Sequence, residues 1–305
     1  MSDDGKYTMG MGWLPDYPSF KDYPVTHDVV SPRLRMLGQK DSVKTMLNKV
    51  GVGDFKAKLA TSVDLRQWCS PIENQLNLGS CTAHAGVGIV EYFENRAFGR
   101  YLDASRLFLY KVTRNLLGWT GDTGAFLRST MEAMVLFGVP PEEYCKYIVA
   151  DFEKEPSSFL YAFAQNFQAI SYFRLDPPGN SRDDLLKRIK TLLARGIPSM
   201  FGFTVYNSIS QASTTGNIPF PVPGERIAGG HAVAAVGYDD SVKIKNTGNG
   251  GVETKGALLI RNSWGTGWGD KGYGWLPYEY VLKGLAVDWW SLLKNEWVDT
   301  GVFKE

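Results

Sequence analysis

The sequence predicts an α+β fold, with a helical lobe followed by a sheet lobe and the working site in the cleft between them. Three observations carry this. Helix-period apolar spacing fills the first half of the chain. The second half consists of short apolar or β-branched runs between Gly- and Pro-rich turns. A capped amphipathic stretch, 181–195, marks where the period changes. With 305 residues the chain is long enough to bury a real core in one large domain or two intimate lobes.

The elements follow in order. Residues 1–60 differ from the rest. Within them, 9–32 are rich in Pro, Tyr and Asp and predict an extended arm, and 41–50 fit one short helix. Core-like sequence begins near Val63. From Cys81 onward Ala83, Val87, Val90 and Ala97 fall on one helical face, with Ser80 placed as N-cap. Gly86 and Gly88 cost that helix about 1 kcal/mol each relative to Ala, which implies tight packing on several sides. Further helices are expected at 103–117 and 126–137. In 181–195, Ser181 and Asp184 open the helix, Leu185, Leu186, Ile189, Leu192 and Leu193 form its stripe, and Gly196 and Pro198 end it. Strands are expected at 199–206, 231–238 and 257–262.

Composition narrows the function. Lys and Arg total 33 against 32 Asp and Glu, so no basic footprint for nucleic acid or an anionic membrane exists. No run approaches the length of a membrane span. The N-terminus has no apolar run of a secretory signal, so the expected location is cytoplasmic, with export by a non-standard route left open. Three cysteines, Cys69, Cys81 and Cys145, make no disulfide framework and no CxxC metal pair. The only histidines are His27, His84 and His231. No metal or organic cofactor is implied.

A thiol attacks a carbonyl as thiolate, and a helix N-terminus favours the thiolate through its partial positive charge. Cys81 stands at such a terminus, after Gly79-Ser80. Three blocks add to this. Val63-Asp64-Leu65-Arg66 leads to Glu73-Asn74-Gln75 and Gly79-Ser80-Cys81; then comes Gly229-Gly230-His231-Ala232; then Arg261-Asn262-Ser263-Trp264-Gly265, with Gly272-Tyr273-Gly274 after it. Gln75 precedes Cys81 by six residues, and the order is Gln, Cys, His, Asn.

Over about residues 62–290 these blocks resemble the papain family of cysteine peptidases. The resemblance implies a two-lobe fold, a helical lobe at about 70–165 and an antiparallel β-barrel-like lobe at about 166–290, together forming a catalytic domain over 61–305. It implies Cys81 as nucleophile, His231 as the imidazole that holds it as thiolate, Asn262 as the group orienting that ring, and Gln75 as oxyanion donor beside the Cys81 amide. Trp264 is implied to cover the His–Asn pair. The implied activity is endopeptidase hydrolysis of peptide or protein substrates. The same chemistry would serve a thiol acyltransferase or amidase, and an inactive peptide-binding homologue is the alternative from another class.

Departures from the family pattern are clear. Leu78 stands where the family signature has a cysteine, and Thr82 where it has an aromatic, so the disulfide beside the nucleophile is absent. This resembles the bacterial branch, as do the Gly12-Trp13-Leu14-Pro15-Asp16 start and the tail over 286–300.

Remaining features have plainer readings. His84, one turn into the helix, is expected as a packed core histidine, and His27 as a surface residue. Gly267 to Gly272 matches G-x-G-x-x-G but precedes no helix, which excludes a dinucleotide loop. Cys69 and Cys145 are expected as separate buried thiols. The turn at 122–125 falls where the family pairs its backbone with bound peptide, with Gly124 allowing close approach; an ordinary turn is the other reading. Gly202 and Gly230 map to walls of the pocket for the second side chain before the cut, with Phe203 lining it. Residues 1–60 are expected either to lie in the chain's own cleft as an inhibitory prosegment or to pack as a strap on the back of the fold.

Overall fold

The computed structural model describes residues 9–52, 58–168 and 171–303. Residues 1–8 and 53–57 of the expected arm lie outside the described residues. The arm runs without helix to Ser31, with turns at 19–22 and 24–27 and isolated bridges at Trp13 and Pro24, because Pro15, Pro18 and Pro24 keep their predecessors out of helical backbone. Two short helices follow: α1 (Pro32–Met36), capped by Ser31, and α2 (Val43–Lys49), where the Ser42 hydroxyl accepts the Thr45 amide at 3.1 Å. Val43, Met46, Leu47 and Val50 are buried in the main core, so this stretch is part of the fold.

Strand β1 (Ser62–Asp64) leads to the helical lobe: α3 (Cys81–Phe98), α4 (Arg106–Leu117), α5 (Leu127–Leu136) and α6 (Ser158–Ala164). The long central helix α3 is enclosed, with Met134 packed on Gly86 and the Arg261 guanidinium on Gly88. Ser80 occupies its N-cap position, but its hydroxyl does not cap. It bonds the Tyr147 hydroxyl at 2.6 Å instead. The first amides of α3 therefore remain available to whatever sits at its tip.

The sheet lobe comprises β2 (Ser171–Arg174), α7 (Arg182–Ala194), β3 (Ser199–Tyr206), β4 (Ile227–Lys245), β5 (Glu253–Arg261), β6 (Tyr273–Pro277), α8 (Tyr278–Leu282), β7 (Ala286–Leu293) and α9 (Asn295–Val298). Ser181 caps α7 as its sequence predicts, accepting the Asp184 amide at 3.1 Å. The sheet is antiparallel in the order β2-β7-β3-β4-β5-β6, with β1 also on β4. β7 returns from the C-terminal end to lie between β2 and β3, and its Trp289 stacks on Phe201 at 3.8 Å. The α9 residue Trp297 stacks on Phe93 of α3 at 5.0 Å, which ties the C-terminus to the helical lobe. The result is the two-lobe α+β architecture, with the N-terminus of α3 facing β4.

Candidate active site

Cys81 begins α3 and is completely buried. Its Sγ accepts the Ala232 amide at 3.4 Å, and the amides of Thr82 and Gly12 also point at it. His231 lies on β4 opposite Phe203 of β3. Its Nε2 pairs with Asn262 Oδ1 at 2.8 Å. That bond leaves Nδ1 for the thiol side, and Nδ1 has no hydrogen-bond partner among the described residues. Asn262 is itself fixed: its amide donates to Gly272 O, and its Oδ1 also accepts the Ser263 amide at 2.8 Å. The Trp264 ring stacks on the imidazole at 4.4 Å and 20°. Gln75 is held by Ser263, whose hydroxyl donates to Gln75 Oε1 at 2.5 Å, while Gln75 Nε2 donates to Leu78 O at 2.8 Å. Thiol, imidazole, carboxamide and glutamine thus meet at one point between the lobes.

Burial sets the protonation of the dyad. Desolvation pushes the Cys81 thiol up to about 11, against the pull of the surrounding amides. It pushes His231 down to about 4, despite the bond to Asn262. In this closed arrangement burial therefore disfavours the charged form of both groups and works against the thiolate–imidazolium pair that the family resemblance implies.

The N-terminal arm runs through the cleft. The Gly10 amide donates to Leu76 O at 3.0 Å, and Gly10 O accepts the Trp264 indole N–H at 3.0 Å. Gly12 crosses over Cys81, and its carbonyl accepts the Ala125 amide at 2.8 Å. The Trp13 amide donates to Gly230 O at 3.2 Å and the Leu14 amide to Ala125 O at 3.1 Å. Gly12 must be glycine for this, because a Cβ there would overlap the Gly79 carbonyl. The Trp13 indole fills the slot between Gly202 and Gly230, where a Cβ at Gly202 would overlap the ring. Its N–H donates to Asp288 Oδ2 at 3.1 Å. Beyond the cleft, Asp16 and Asp22 bind Arg128, and Asp22 also reaches Arg174 at 3.4 Å.

The structure brings Gln75, Cys81, His231, Asn262 and Trp264 together, and places Gly202, Phe203 and Gly230 beside them. Gly124 lies close, with φ +74°, but its amide donates to the Tyr110 hydroxyl; Ala125, one residue on, pairs with the arm. Nothing about an alanine signals that role. His84 is the packed core histidine expected, with Nδ1 3.1 Å from Ser80 O, and burial pushes it down to about 3. His27 stacks on Tyr23 at 4.0 Å and is partly exposed. Cys69 and Cys145 are free thiols, half-buried rather than buried. Sequence reasoning missed Trp13, Ser263 and Asp288 as site residues. Ser263 carried a signal in its place beside Asn262; Trp13 and Asp288 lay in the start and tail segments that resemble the bacterial branch, with no role attached to either.

Fold and site together define a class: two-lobed thiol hydrolases with a cysteine at a helix tip and a histidine–asparagine pair on the facing sheet. Comparison with known proteins agrees. The papain family cysteine protease profile matches residues 59–282. An uncharacterized peptidase C1-like protein of Acanthamoeba polyphaga mimivirus is 31% identical over 300 residues, covering 95% of this chain and 88% of that one. Xylellain, a cysteine protease from Xylella fastidiosa, superposes with TM-score 0.70 at 30% identity, covering 93% of this chain and 96% of that one. Cathepsin K of Gallus gallus is 28% identical over 232 residues, covering 73% of this chain and 60% of that one. The chain belongs to the papain family of cysteine proteases and resembles its bacterial branch. It is a papain-like cysteine peptidase, and its substrates are peptides or proteins.

Proposed function

We propose that this chain is a cysteine endopeptidase that its own residues 10–14 hold closed. The carrying observation is the Gly12 amide pointed at a completely buried Cys81 Sγ. A peptide to be cut must present a carbonyl carbon to the sulfur. The arm presents an N–H instead, and Ala125 holds the Gly12 carbonyl away. The arm therefore blocks the cleft without being a substrate of it. It enters beside Leu76 and leaves beside Ala125, on either side of Cys81. A cleft that takes a chain passing through it supports internal cleavage over removal of terminal residues.

With the arm displaced, the roles are as follows. Water and the free amides of α3 favour the thiolate, and His231 takes the proton on Nδ1. Cys81 attacks the scissile carbonyl. The Cys81 amide and Gln75 Nε2, released from Leu78 O, donate to the oxyanion. His231 returns its proton to the leaving amine, and water resolves the acyl-enzyme. Asn262 and Trp264 keep the imidazole oriented and shielded.

The test is cleavage of a peptide blocked at both ends by the wild type, Gly12→Val and Cys81→Ala. Internal products from Gly12→Val at about a hundred times the wild-type rate, and none from Cys81→Ala, are expected; a hundredfold corresponds to about 2.7 kcal/mol of lost closure. Equal rates in wild type and Gly12→Val would refute closure by the arm. Products from Cys81→Ala would refute the nucleophile.

A further inference from the structure

The residue at the far end of the Trp13 slot has no role in the chemistry above. Asp288 on β7 is wholly buried, and its carboxylate is held on one side only. Oδ1 accepts the Trp290 indole N–H at 2.7 Å and lies 3.3 Å from the Arg174 guanidinium. Its backbone is held too. Asp288 takes φ +62°, a conformation Asp tolerates better than most residues. The Asp288 and Trp289 amides are both bound by the Asp176 carboxylate, at 2.9 and 3.0 Å. Every one of these contacts belongs to the folded body. Oδ2 is different: its hydrogen bond is to Trp13, a residue of the arm.

When the arm leaves, a fixed and buried acceptor is exposed at the end of a flat slot walled by Gly202 and Gly230. We propose that Asp288 is a specificity determinant of this peptidase, selecting a substrate side chain with an aromatic body and a neutral hydrogen-bond donor at its tip, tryptophan first and tyrosine next. This rests on the reading of the cleft as the peptide site. Trp13 is the occupant that shows the fit. A ring without a donor, or an aliphatic chain, fills the slot but leaves Oδ2 unpaired, and a site built to bond a polar group discriminates against the analogue that lacks it. A cationic tip gains less, because the Arg174 guanidinium, 3.3 Å from the carboxylate, repels a second cation, and burying a charge in the slot costs more than burying a neutral donor. The slot thus reads both shape and donor, and arm and substrate compete for the same acceptor.

The test uses the full chain as Gly12→Val, with fluorogenic dipeptides carrying Trp, Tyr, Phe, Leu, Ala or Arg as the second residue before the cut and Arg as the first. The expected kcat/KM for Trp exceeds that for Phe by about tenfold, the loss of roughly one hydrogen bond to a charged acceptor. In Gly12→Val/Asp288→Gly, where glycine accepts the positive φ and removes the acceptor, the Trp/Phe ratio falls to near one. Gly12→Val/Asp288→Asn, which keeps a neutral oxygen, gives an intermediate ratio. Stoichiometric labelling by the epoxide E-64 verifies that each variant is folded. Equal rates for Trp and Phe, a ratio that survives Asp288→Gly, or Arg or Ala leading the panel would overturn the proposal. If Gly12→Val labels no faster than the wild type, closure by the arm fails, and the same panel on the wild type and its Asp288 variants decides Asp288. Silence of both forms towards E-64 and every substrate contradicts both readings.

Discussion

The two halves of the N-terminal segment are held in opposite ways. Residues 10–14 lie in the cleft on backbone hydrogen bonds and one indole, and residues 16–22 continue beyond it on ion pairs around Arg128 and Arg174. Residues 32–50 are held by Val43, Met46, Leu47 and Val50 in the core, and by Asn295 Oδ1, which accepts the Lys40 and Asp41 amides at 2.9 and 3.1 Å. Polar contacts at a surface cleft exchange with water at small net cost. Buried apolar side chains do not, and residues 10–22 bury one of these, Trp13, where residues 32–50 bury Leu34, Val43, Met46, Leu47 and Val50. On the proposed reading the first half is a plug that leaves and the second a strap that stays. On that reading the two expectations for the segment, inhibitor in the cleft and strap on the fold, would describe different parts of it.

The largest test of this contrast is truncation. Removing residues 1–60 deletes buried apolar side chains including Val43, Met46, Leu47 and Val50, each contributing about 1.5–3 kcal/mol. That is on the order of the 5–15 kcal/mol by which a typical domain is stable. Insoluble or unfolded protein by circular dichroism is expected. Removal of residues 1–14 should leave a folded chain whose Cys81 labels rapidly. If both truncations stay folded, the strap contributes less than its burial implies.

A smaller effect is expected at the ion pairs. Arg128→Ala deletes the partner of Asp16 and Asp22 and frees the Tyr17 carbonyl. Loosening by about 1–3 kcal/mol should raise E-64 labelling roughly tenfold, with the melting temperature little changed. Smallest is Ser42→Ala, which removes the cap of α2. It should lower stability by about 1 kcal/mol in urea unfolding and leave labelling as in the wild type. A Ser42→Ala chain that labels faster would couple strap to plug.

Much of the site was legible because its chemistry is local. Gly79-Ser80-Cys81, Gly230-His231 and Asn262-Ser263-Trp264 are short segments whose neighbours define their roles. Helix α7 was legible for the same reason, since its cap and stripe are written in consecutive residues. What escaped depends on contacts across the chain. Asp288 sits in an apolar run, and its function comes from Trp13, 275 residues away, and from a positive φ that no propensity suggests. Ala125 acts through its backbone, which every residue possesses. Ser80 was read as a helix cap, but Tyr147 takes its hydroxyl. Gly10 and Gly12 fall in the predicted extended arm, but nothing local shows their use, which is to let one backbone pass close to another.

The most direct test of the closed state is the pH dependence of Cys81 alkylation by iodoacetamide in the wild type and Gly12→Val. In the wild type, burial holds the thiol protonated up to about 11 and the imidazole neutral down to about 4. Alkylation should be slow across pH 5–8 and rise only towards alkaline pH. Opening the cleft lowers the cost of charge at both groups, so thiolate and imidazolium coexist, and Gly12→Val should react about a hundredfold faster at pH 6. Superimposable profiles for the two chains would contradict the account, because Cys81 would then be governed by something other than the arm above it.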